Sequence, residues 1–151
     1  MTFPTWWPVR DRDDVPGHEP CWAAPGYPDV PASVRTLAGT LVMLAATAEE
    51  QDAWCERHHW CEDELALDFD WALGWVPWTV EERSPGLLPE PLLLVLKEMD
   101  ERLTAMSGPL PEGVDRWLLV PGWDDVRELA AEAVRMIADL GLIAVPKVAE
   151  L

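Results

Sequence analysis

From Pro31 onward the apolar residues recur at intervals of three and four, and no other feature constrains the chain as tightly. Val34, Leu37, Ala38, Leu41, Val42 and Ala45 fall on one face of a helix, so this segment must bury one side. Gly39 weakens that helix by about 1 kcal/mol relative to alanine without forbidding it. Thr47 and Glu50 have the spacing of a capping box, which predicts a second helix starting at Ala48 and running to about His58.

The stretch EDELALDFDWALGWV fits two periods. Leu65, Phe69, Ala72, Leu73 and Val76 make a helical stripe, whereas Leu65, Leu67, Phe69, Trp71 and Leu73 alternate like a strand. Its aspartates and alanines disfavour the strand, so a helix is expected. Pro77, Pro85 and Pro89 then break WVPWTVEERSPGLLPEP into a loop. A helix near Pro91 to Met106 carries Leu92, Leu96, Met99, Leu103 and Met106 in register. Leu93, Leu94 and Val95 widen its apolar face, as expected of the central, most buried helix. Ser107, Gly108 and Pro109 stop it.

RWLLVPGW reads as a short strand or an extended connector. The last helix runs from about Asp124 to Asp139, with Val126, Ala130, Ala133, Val134, Ile137 and Leu140 facing the core. Asp124 and Asp125 suit a positive helix start, and Gly141 supplies the residue after the end. The expected fold is an all-α bundle of about five helices.

At 151 residues the chain is expected to form one domain with a real core. Residues 1–31 hold seven prolines together with Trp6, Trp7 and Trp22. Prolines favour an extended arm, and tryptophans need apolar surface, so the arm is expected to pack on the helical domain of residues 32–151. Three cysteines cannot all pair. The N-terminus has no continuous apolar run of the signal-peptide kind, and LAGTLVMLAATA is too short to span a bilayer. The sequence-based expectation is a cytoplasmic protein.

The heptapeptide CERHHWC, Cys55 to Cys61, raises the question of a metal. Zinc takes four thiolate or imidazole ligands in paired short spacings. His18 and Cys21 at H-x2-C spacing, with Cys55 and His59, could form such a set, with Cys61 as a substitute. Against it, histidines suit the last turn of a helix, and cysteine is a common small core residue. No second C-x2-C pair exists, so packing is the stronger expectation, with no metal and no cofactor. No catalytic family signature surrounds Cys55, and no G-x-S-x-G or phosphate-binding loop appears. Asp68 and Asp70 could serve acid–base chemistry, but a solvated acidic face accounts for them more simply. A binding protein is expected rather than an enzyme.

Charge is the better signal. The net charge is −17, which repels nucleic acid and anionic membrane and attracts basic partners. Residues 48–70 contain nine acids against one base, Arg57, interleaved with Trp54 and Trp60. Carboxylates steer and pair with Arg or Lys, and tryptophan supplies buried contact area. The expected contact residues are Trp60, Glu62, Asp63, Glu64, Asp68 and Asp70.

The segments AEEQDAWCERHHWCEDELALDFDWAL and MDERLTAMSG, the latter followed by WDDVRELAAEAVRMIADLG, resemble a group of small acidic actinobacterial proteins. The shared words are a DELALDFD-x-A core, an MSG helix stop and a final W-x-x-VR-x-LA helix, over roughly residues 47–141. The chain looks like the immunity proteins of polymorphic-toxin systems. In that pattern positions 55 and 61 need not be cysteine, which argues against zinc as a shared function. The resemblance implies an immunity or antitoxin-type inhibitor of a basic toxin or enzyme domain. The alternative from another class is a sensor whose Trp and carboxylate side chains hold an organic cation. A zinc-dependent enzyme ranks third.

Overall fold

The computed structural model describes residues 29–151, and these form an all-α bundle of five helices. Most of the arm expected over residues 1–31 lies outside the described residues. Its last part does not belong to an arm: α1 spans Val30–Ala45, with Pro31 in its first turn and Asp29 as the N-cap. The Asp29 carboxylate accepts from Ala32 N–H at 2.8 Å, and proline fits where a helix has a spare donor position anyway.

α2 spans Ala48–His58 and opens on the expected capping box. Thr47 Oγ1 accepts from Glu50 N–H at 3.2 Å, and the Glu50 carboxylate accepts from Thr47 N–H at 2.9 Å. α3 spans Asp63–Arg83, α4 Glu90–Met106 and α5 Trp123–Asp139. RWLLVPGW is neither strand nor extended connector, since Trp117–Leu119 make one turn of 3-10 helix. A second such turn is Val148–Glu150. No helix among the described residues is long and apolar enough to cross a membrane.

Two expectations fail for the same reason, which is that tertiary burial overrides local rules. The segment after Trp75 was expected to be a loop, yet α3 continues through Pro77 to Arg83. Pro77 has no N–H to offer the preceding turn. Val76, Thr79 and Val80 continue the buried stripe of Leu65, Phe69 and Leu73, and that burial outweighs one lost bond. α4 was expected to be central, but α1 holds that place, packing on α3 along one side and on α5 along the other. α4 packs mainly on α5, and its Leu94 is 47% exposed. The core is built from Leu37, Leu41 and Leu44 of α1, Phe69 of α3, Leu92, Leu96 and Met99 of α4, and Trp123 and Ile137 of α5. Each such side chain contributes about 1.5–3 kcal/mol of burial.

Candidate functional site

CERHHWC is a helix end, as its histidines suggested. His58 closes α2, and His59 adopts the left-handed conformation at φ 57°. Trp60 N–H then reaches the Cys55 carbonyl at 2.9 Å, and His59 N–H reaches that of Glu56 at 3.2 Å. Such paired bonds satisfy the last carbonyls of a helix, and an apolar contact commonly accompanies them. Here Trp60 supplies it, with its ring edge-on to Trp54 at 5.1 Å and stacked on His58 at 5.1 Å. His58 Nδ1 lies 2.8 Å from the Trp54 carbonyl, which fixes the imidazole between the two indoles.

The two cysteines of this corner differ in burial. Cys55 is buried and its thiol lies 3.7 Å from the Cys61 carbonyl, while Cys61 is exposed. Burial pushes the Cys55 thiol above its usual pKa, neighbouring Asp52 and Glu62 push the same way, and Arg116 opposes them. A thiol held protonated is a poor nucleophile and a poor ligand. Of the four residues considered for zinc, Cys55 and His59 lie here, and His18 and Cys21 lie outside the described residues. Among the described residues, no three His, Cys, Asp or Glu side chains come together to hold a metal ion.

The acids of residues 48–70 divide by role. Arg116, just before the 3-10 turn, grips both carboxylate oxygens of Asp52 and lies 3.9 Å from Glu62 through Nε. That contact holds the Asp52 carboxyl below its ordinary pKa. Glu62 also accepts from Leu118 N–H at 2.9 Å. Asp52 and Glu62 therefore fasten the segment following α4 to the corner between α2 and α3.

The six expected contact residues do not share one surface. Trp60 and Asp68 line a cleft of about 320 Å³ with Trp54, His58 and Leu65, closed on its other side by Arg35 and Leu151. Burial raises the Asp68 carboxyl above its usual pKa, Glu64 adds to the rise, and His58 opposes it. Glu62 and Asp63 line a different cleft of about 450 Å³, with Leu67, Leu103, Leu110 and Trp117. Asp63 is exposed, while Glu64, Asp68 and Asp70 are half-buried.

The tryptophans divide as well. Trp54, Trp75 and Trp123 are core, and Trp117 is half-buried with its indole N–H on the Met106 carbonyl at 3.1 Å. On the side of α3 turned away from the core, Leu67 is 55% exposed, Trp71 59% and Trp78 38%. Trp71 meets Trp75 edge-on at 5.3 Å and so stands on a buried base. Soluble proteins seldom present such large apolar side chains together without a use. Sequence reasoning passed over Leu67 because it counted toward the strand-like alternation. Read at helical spacing, Leu67, Trp71 and Trp78 share a face opposite to Phe69 and Leu73.

Fold and site together define the class: an all-α bundle with an acidic, aromatic outer helix face. Comparison with protein-family models, with curated proteins and with solved structures finds no match to this chain.

Proposed function

We propose that this chain is a stoichiometric protein-binding module, an immunity or antitoxin-type inhibitor that blocks a basic toxin or enzyme domain. The observation that carries the reading is the outer face of α3. Leu67, Trp71 and Trp78 project from it, and the acids Asp63 and Glu64 stand in the first turn of the same helix. Large aromatic side chains supply the area that slows dissociation, and the surrounding charge speeds encounter with a basic surface. The resemblance to polymorphic-toxin immunity proteins points the same way. Asp63 and Glu64 are better placed for this role than Glu62, which is committed to Arg116 and Leu118.

The test is capture from native lysate on the immobilised chain, followed by titration of the purified partner. The reading expects a basic protein bound one to one, whose own activity falls as the chain is added. It expects binding to weaken with salt and with Asp63→Lys plus Glu64→Lys. A partner whose affinity ignores both salt and charge reversal would sink it.

One observation favours the organic-cation reading, namely the cleft in which Trp54, His58 and Trp60 accompany Asp68. Its rings pack on one another at 4.8 to 5.1 Å between centroids rather than around an open space, and Arg35 lines the same cleft. A thermal-shift screen of quaternary ammonium compounds should leave the melting temperature unchanged, and a dose-dependent rise would establish the cation site.

A further inference from the structure

The cleft between α1, α2 and α3 holds two opposite charges that do not meet. Arg35 of α1 and Asp68 of α3 both line it, and among the described residues neither side chain has a hydrogen bond or an ion pair. In a chain with 28 acids, Arg102, Arg116 and Arg127 each hold a carboxylate, and Arg35 departs from that pattern. Asp68 is its counterpart. Burial raises its carboxyl above the ordinary range, and His58 offsets that only in part. A carboxylate taken out of water is relieved by a cation close to it, and none of this chain's own side chains supplies one at bonding distance.

The rest of the lining is largely apolar, with Trp54, Trp60, Leu65 and Leu151. Leu151 shows what such a lining accepts. A Cβ built at Gly39 would lie 3.6 Å from Leu151 Cδ2, so an isobutyl group already rests against α1. Arg57 holds the end of the tail there, donating to the Leu151 backbone oxygen at 3.4 Å. Thr36 and Thr40 also line the cleft. They give their hydroxyl protons to the Ala32 and Leu37 carbonyls at 3.1 and 2.8 Å, so what they offer a visitor is lone pairs. The volume of about 320 Å³ stands at the low end for small-molecule sites, which suits a molecule of amino-acid size.

We propose that this cleft binds a small apolar amino acid as its zwitterion. The carboxylate pairs with the Arg35 guanidinium, the ammonium pairs with the Asp68 carboxylate, and the side chain lies among Trp60, Leu65 and Leu151. A quaternary ammonium compound brings Arg35 no anion and Asp68 no N–H, so the cleft discriminates against it. The site goes beyond the protein-binding reading and is independent of it, because Leu67 and Trp71 do not line this cleft.

The experiment uses the full chain with L-leucine and two molecules that each keep half of its charge. Isocaproate lacks the amine, and isoamylamine lacks the carboxylate. Isothermal titration should give leucine a dissociation constant of about 1 mM or below. Each half-molecule should bind about tenfold more weakly or worse. Arg35→Gln should bring leucine down to the level of isoamylamine and leave the amine bound no less tightly. Asp68→Asn should bring leucine down to the level of isocaproate and leave the acid bound no less tightly. Both variants should keep the helical circular dichroism of the parent, which separates a lost charge from a lost fold.

The absence of a saturable signal with leucine, methionine or phenylalanine up to about 10 mM, by titration and by thermal shift, would overturn the proposal. So would a half-molecule that binds as tightly as leucine, or a variant at either position that binds leucine as the parent does.

Discussion

Gln51 ties three elements together from inside the protein. It is fully buried, and its Nε2 donates to the Met43 and Leu44 carbonyls at 2.9 and 3.3 Å, which close the end of α1. Its Oε1 accepts from Arg127 of α5 at 2.9 Å. Gln51→Leu keeps volume but strands the Leu44 carbonyl and an arginine donor, so urea unfolding should show a loss of about 2–4 kcal/mol. His59 makes the opposite case. Its left-handed φ is costly for a residue with a Cβ, and its side chain is exposed. His59→Gly should raise stability in the same assay by about 1 kcal/mol. Asp68 gives a pH signature. Its folded pKa lies above the unfolded value of 3.8, so in the window between the two the folded state holds more protons. Stability therefore falls as pH rises through that window, and the cost persists above it. Asp68→Asn should be more stable than the parent at neutral pH, with the difference vanishing below pH 3.8 in a pH series of melting curves.

At the scale of elements, each helix announced itself through signals contained in its own sequence, and the exceptions show why. α2 begins and ends where Thr47, Glu50 and the His58–His59 pair put it, because capping involves groups three residues apart. Thr47→Ala removes one half of that box and should cost about 1 kcal/mol in thermal or urea unfolding. α3 outran its expected end because proline is read as a local stop, whereas Val76, Thr79 and Val80 are held by burial. The site was less legible than the fold. The acidic and aromatic density of residues 48–70 was visible, but not its division, since Arg116 reaches Asp52 across 64 residues. Nor could the alternation of Leu65, Leu67, Phe69 and Trp71 show that two of these face the core and two face away until the helix was established.

For the whole molecule, the charge of −17 and the arrangement of α3 belong to one account. Charge of one sign draws a basic partner in from beyond the contact distance and is screened by salt, with a range of about 8 Å at physiological ionic strength. The bundle supplies the rigid base: α1, packed on α3 and α5, keeps the inner side of α3 buried and so fixes which side faces outward. A binding face on a packed helix holds its side chains in place before the partner arrives, which limits the ordering cost of association. The most direct measurement is hydroxyl-radical footprinting of the seven tryptophans from Trp54 to Trp123, with and without the bound basic partner. The account predicts that oxidation of Trp71 and Trp78 falls sharply in the complex, while Trp123, only 1% exposed, stays unreactive throughout. A complex in which Trp71 and Trp78 oxidise as fast as in the free chain would contradict it.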